Sequence, residues 1–157
     1  MKNLKLLVAV DGGKASSRTI HYVGHACRAM TEAAPQVVLF HVLPPLPPYL
    51  EAGDSAAGTP NPRDAFETES RKTAGHMLAE CQRMLAADGV PPGSVTVEMV
   101  ENEGNVTAQI IGAAYRLGCD TVVVGRHGGS MVGRFVAGSV VEHLLREPVG
   151  LTIWVVE

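Results

Sequence analysis

Five short apolar runs alternate along the chain with longer stretches whose apolar residues recur every three to four positions, and this alternation restricts the fold more than any other feature. The runs are "LKLLVAV" at 4–10, "QVVLFHVL" at 36–43, "SVTVEMVE" at 94–101, "DTVVVG" at 120–125 and "GLTIWVV" at 150–156. Between them the spacing predicts four helices. The first runs from Ala15 to about Ala33, with Ile20, Val23, Cys27 and Met30 inward. A long one spans about Asp64 to Asp88, with Phe66, Thr73, Met77, Cys81 and Leu85 as its inner stripe and Gly89 as a stop. Two shorter ones span about Asn105 to Leu117 and about Ser139 to Arg146. Parallel strands are joined through helical crossovers, so the order βαβαβαβαβ predicts a doubly wound α/β sandwich. The run at 94–101 alternates polar and apolar residues, which places it at a sheet edge.

With 157 residues, residues 1–157 are read as one domain, long enough to bury roughly two thirds of its unfolded surface. A 46% hydrophobic and 18% charged composition fits a compact core. The net charge of -3, without any long Lys/Arg run, argues against nucleic acid and membrane surfaces as partners. No apolar stretch approaches the ~20 residues of a membrane helix. The opening "MKNLKLLVAVDGG" lacks the cleavage site of a signal peptide, and Cys27, Cys81 and Cys119 each fall in an apolar periodic segment. Buried free thiols in a reduced, cytoplasmic protein are expected.

Six of the ten prolines fall in residues 44–63, "PPLPPYLEAGDSAAGTPNPR". Proline removes a donor and restricts its predecessor, so an irregular loop with polyproline II character is expected there. The Met residues of the long helix, Met77 and Met84, read as core filler. His21 and His25 have the i, i+4 spacing of a shared metal site, but no third ligand is evident nearby, and no metal is expected.

Ligands of open parallel sheets sit outside the carboxyl ends of the strands. Two loops there have the character of a binding site: Asp11-Gly12-Gly13 after the first strand, and "GRHGGSMVGRFVAGS" from Gly125 to Ser139 after the fourth. The second spends five of fifteen residues on glycine and ends where a helix begins, which suits a phosphate held by backbone N–H groups, with Arg126 and Arg134 supplying charge. An ordinary glycine-rich turn capped by Ser139 is the competing reading. Neither GXXXXGK[ST] nor GxGxxG after the first strand occurs, which argues against fast nucleoside triphosphatases and dinucleotide oxidoreductases.

Gly125-x2-Gly128-x9-Gly138-Ser139 resembles the signature of the universal stress protein family, in its ATP-binding branch. The likeness extends over nearly the whole chain, from "LLVAVDGG" through "VVLFHV" and "EGNVTAQIIGAAYRLGCDTVVVGRHG" to "GSVVEHLLREPVGLTIWVV". It implies an α/β fold with an open five-stranded parallel sheet of order 3-2-1-4-5 and helices on both faces, Rossmann-like and akin to the adenine nucleotide alpha hydrolases. It also implies a homodimer paired through the fifth strand, Leu151 to Val156, with Trp154 either at that contact or buried against a helix.

Carried over by position, the resemblance implies that Asp11 binds the ribose hydroxyls and that Val42 offers backbone groups to adenine. Val124 and Gly125 line the ribose and phosphate side. His127, Gly128, Arg134, Gly138, Ser139 and Val140 complete the phosphate cradle, and no catalytic residue is implied. Ser or Thr is frequent in the family where Val141 stands, and Ser where Gly13 stands, so the chain lacks one phosphate donor and one helix cap. The expected function is ATP binding, with ADP or AMP as alternatives and Mg2+ as an optional companion. The expected role is a stress-response or signalling module with an unidentified protein partner and at most slow hydrolysis. The alternatives are a dimeric scaffold without nucleotide and, less favoured, a nucleotidyl transferase relative.

Overall fold

A computed structural model describes residues 3–30, 33–51, 58–126, 137–146 and 150–157; the side chains of Lys14 and of residues 137–139 are outside that description. Its elements are β1 (Lys5–Ala9), α1 (Lys14–Ala29), β2 (Gln36–Val42), α2 (Pro48–Glu51), α3 (Pro62–Ala87), β3 (Val95–Val100), α4 (Val106–Arg116), β4 (Thr121–Gly125), α5 (Ala137–Arg146) and β5 (Thr152–Val156), with a 3-10 turn at Pro92–Ser94. The strands form one parallel sheet of order β3-β2-β1-β4-β5, as the resemblance implies. Lys5 pairs with Gln36 and Leu6 with Thr121, so β1 is held on both sides.

Central position explains the apolar run Leu6–Ala9 of β1. Leu6 and Val8 point to one face, where they meet Ile20 and Val23 of α1 and Leu78 and Leu85 of α3. Leu7 points to the other, against Ile110 and Ala114 of α4 and Leu144 of α5. Each side chain of this kind contributes roughly 1.5–3 kcal/mol when fully buried. At the edge, β3 has only one partner, and the consecutive residues Thr96 and Val97 are exposed on its two faces, so edge position rather than the alternation of its sequence sets their exposure.

Several boundaries differ from those read in the sequence. α1 ends at Ala29 instead of Ala33, with Met30 as C-cap, its N–H reaching the Cys27 carbonyl. The 44–63 segment is less irregular than its prolines imply: Pro48–Glu51 forms one helical turn, and α3 begins at Pro62. Proline suits the first turn of a helix because the N–H it lacks has no intrahelical acceptor there. Asn61 supplies the cap, its side chain accepting from Arg63 N–H at 3.0 Å. At the other end Asp88 caps α3, and Gly89 takes φ +93°, the left-handed conformation that stops the helix. All three cysteines are free and buried, as expected.

Candidate functional site

The turn after β1 carries the first functional side chain. Gly12 adopts φ +81°, which a Cβ would strain, and this turns the chain sharply from β1 into α1. Gly13 caps α1 without a side chain. Asp11 substitutes for the missing hydroxyl: its Oδ1 accepts from Gly13 N–H at 2.8 Å and from the Ser16 hydroxyl at 2.8 Å. A carboxylate at a helix N-terminus is favoured by the exposed N–H groups and the helix dipole. No described residue donates to Oδ2.

Asp11 stands on the wall of a cavity of about 520 Å³ at the carboxyl ends of β1, β2 and β4. That size lies within the range of small-ligand sites. Ala15, Ser16 and Thr19 of α1 form one side, and Phe40, His41 and Val42 of β2 another. Val124 and Gly125 close the β4 side, Val106 and Ile110 come from α4, and Val140 and Val141 from α5. Asp11 and Glu69 are the charged residues of this lining, and among the described residues no Lys or Arg joins them.

Of the ten residues that the resemblance marks, the cavity brings together Asp11, Val42, Val124, Gly125 and Val140. Gly138 and Ser139 stand in the first turn of α5, which starts at Ala137, two residues before the expected Ser139. His127, Gly128 and Arg134 lie outside the described residues. Val141, where a hydroxyl is frequent in the family, lines the cavity with an apolar side chain.

The neighbours of this region show one packing role and one difference from expectation. Gly125 lines the cavity, and a Cβ there would also come within 3.0 Å of Thr19 Oγ1 and 3.8 Å of Ala15 Cβ. The glycine therefore lets β4 close against α1. Arg126 was to supply charge to phosphate, but its guanidinium pairs with Glu157 while its N–H donates to the Val156 carbonyl at 2.7 Å. Its charge is spent beside β5, outside the cavity lining.

The α3 wall was not legible as a site. Phe66, Glu69, Ser70, Thr73, Ala74 and Met77 recur at helical spacing and all face the cavity. At about 1.5 Å per residue, the 26 residues of α3 span about 39 Å, far longer than the strands it covers. Its buried residues start at Ala74, so the N-terminal half passes the sheet edge and overhangs the crevice. Phe66 and Thr73, read as core, are cavity wall, and Met77 serves both, packing on the core and lining the cavity. The mixed polarity of this stripe was the available signal.

The histidine pair has a neighbour that linear spacing hides. His21 Nδ1 is 2.7 Å from Asp88 Oδ2 and His25 Nε2 is 3.8 Å from Oδ1. Asp88 reaches them because Gly24 lies between the two histidines; a Cβ there would stand 2.6 Å from Asp88 Cβ. Among the described residues, no group of three His, Cys, Asp or Glu is disposed to hold a metal ion.

An open parallel sheet of order 3-2-1-4-5, with a mostly apolar crevice and a helix-capping carboxylate where its winding reverses, defines a Rossmann-like α/β domain with a crevice of small-ligand size. The sequence profile of the universal stress protein family matches residues 2–148, and the chain belongs to that family. Solved structures with the same fold include the universal stress protein UspA from Lactobacillus plantarum, 18% identical with a TM-score of 0.67, covering 100% of this chain and 99% of that one. A universal stress protein from Archaeoglobus fulgidus in complex with dAMP is 14% identical, TM-score 0.65, covering 100% of each chain. A universal stress protein solved in complex with cAMP is 18% identical, TM-score 0.63, covering 100% of this chain and 98% of that one. No curated protein matches the chain by sequence. No described helix is long and apolar enough to cross a membrane.

Proposed function

We propose that this universal stress protein binds an adenine nucleotide, ATP or in its place ADP or AMP, and acts as a stress-response or signalling module whose surface changes on binding. The observation that carries the reading is Asp11 Oδ2, without a described donor, on the wall of a cavity of about 520 Å³ at the sheet's switch point. An ionised carboxylate is a strong acceptor for the two hydroxyls of a ribose. Family members solved with cAMP and dAMP support adenine nucleotides as the ligand class. Gly138 and Ser139 in the first turn of α5 are the proposed phosphate donors, together with His127, Gly128 and Arg134. Because Asp11 and Glu69 are both acidic, Mg2+ is the proposed companion of a polyphosphate.

Homodimerisation through Leu151 to Val156 belongs to the same proposal, supported by the position of β5 at the sheet edge with Val155 exposed. A cytoplasmic site of action is proposed with it, in keeping with three free cysteines. The test is to denature the purified protein, identify any released nucleotide by chromatography and mass spectrometry, and titrate the emptied protein with ATP, ADP and AMP. Recovered or measurably bound nucleotide, lost in a folded Gly138→Val variant, is the expected result. A protein indifferent to all three at millimolar concentration would instead favour the scaffold reading.

A further inference from the structure

Arg63, Arg71, Arg83, Arg116, Arg126 and Arg146 each pair with a carboxylate. Arg18 and Arg28 are the described arginines that do not, and both stand exposed on α1. His21 and His25, also exposed, fall between them. Intervals of three, four and three residues put all four side chains on one face of the helix.

Nothing on α1 offsets this charge. The helix contains no Asp or Glu, in a chain whose 16 acidic residues outnumber its 13 Lys and Arg. Asp88, at the end of α3, is the acid beside the face, and its two oxygens are turned to His21 and His25, which leaves both arginines unpaired. Lys14 continues the same spacing at the first position of the helix, where the dipole disfavours a cation. Ala15, Ser16 and Thr19, which form the α1 wall of the cavity, lie off this face.

We propose that this basic face of α1 docks an acidic protein segment, with Arg18 and Arg28 as the anchors. At about 1.5 Å per residue the two lie about 15 Å apart along the helix, a span that carboxylates on a short peptide can match. Arginine is enriched at protein interfaces and grips a carboxylate through two parallel N–H donors. A nucleic acid fits the face less well, because its affinity comes from many phosphate contacts and the net charge of -3 repels a polyanion. The face shares none of these four residues with the described cavity lining, so it stands or falls independently of nucleotide binding.

The probe is a fluorescein-labelled peptide of ten glutamates, long enough to cover about 15 Å whether helical or extended. Anisotropy titrations compare the wild type with Arg18→Gln/Arg28→Gln and with Arg63→Gln/Arg146→Gln, which removes the same charge from paired positions; thermal unfolding checks folding. Expected is wild-type binding that weakens between about 50 mM and about 300 mM salt, with a loss of about tenfold or more in the first variant and none in the second. Absence of wild-type binding at about millimolar protein, affinity retained in the folded first variant, or an equal loss in the second would each overturn the docking face. A single-stranded oligonucleotide bound more tightly than the peptide through the same arginines would overturn it in favour of a phosphate polymer. Self-association of the wild type that the first variant abolishes would overturn it in favour of a second copy of the chain. Should the double variant fail to fold, Arg18→Gln alone decides.

Discussion

The Ser16 hydroxyl donates to Asp11 Oδ1 at 2.8 Å, the same oxygen that receives the N–H of Gly13. Asp11 thus does two jobs, closing the first turn of α1 through Oδ1 and standing on the wall of the cavity. The arrangement compensates for Gly13, which offers α1 no side-chain cap.

The two jobs are separable by substitution. Asp11→Asn keeps an oxygen for Gly13 and Ser16 but loses the ionised acceptor. It should unfold close to the wild type, while nucleotide affinity falls by about tenfold or more. Asp11→Ala loses both roles, with an expected stability cost of about 1 kcal/mol. Chemical denaturation alongside calorimetry checks the split; wild-type affinity in Asp11→Asn would remove Asp11 from the binding site.

Phosphate affinity should be limited by the walls themselves. Glu69 repels a polyphosphate and Val141 offers no hydroxyl. Glu69→Gln is therefore expected to strengthen ATP binding more than AMP binding. In Val141→Ser a new donor should raise affinity for any phosphorylated nucleotide, by about tenfold if the bond forms to a charged oxygen. Titrations with and without Mg2+ distinguish them, since the Glu69→Gln gain should shrink when the cation is present.

Gly24→Ala should destabilise the fold despite the better helix propensity of alanine. The new Cβ would meet Asp88 Cβ at 2.6 Å and Oδ2 at 2.7 Å, where the cap of α3 leaves little room to move. A propensity gain of up to about 1 kcal/mol is expected to lose to a clash of about 1–3 kcal/mol. Urea denaturation reads the net sign, and a stabilised variant would show that Asp88 can swing away from α1.

The thiols should be unreactive in the folded protein. Burial, the larger cause, and the nearby Glu80 push Cys81 up to about 11, and burial raises Cys27 as well. At neutral pH little thiolate exists at either position. Iodoacetamide followed by intact-mass measurement at pH 7.5 is expected to leave both unmodified in the native state and to label them in urea. Labelling of the native protein would mean that the α1/α3 face opens readily.

Much of the fold was legible because the patterns are local. β1 reads as a buried strand from a short Leu- and Val-rich apolar run, and β3 as an edge strand from its alternation. Asn105 caps α4 through its side chain, accepting from Ala108 N–H at 3.0 Å, and marks the start of that helix in the sequence. Prolines misled at 48 and 62 because the residue that breaks a helix interior also begins one well.

The order of elements, the switch point and the position of Asp11 after β1 were determined by the sequence itself, since hydrophobic period and turn chemistry act over a few residues. Only tertiary structure decided what meets there. Gly125 serves the packing of α1, Arg126 turns to Glu157, and the first half of α3 overhangs the crevice with Phe66 and Glu69. Asp88 likewise joins two histidines more than sixty residues away. Such contacts depend on how long elements overrun one another in space, a length that periodicity records without revealing which neighbour it will reach.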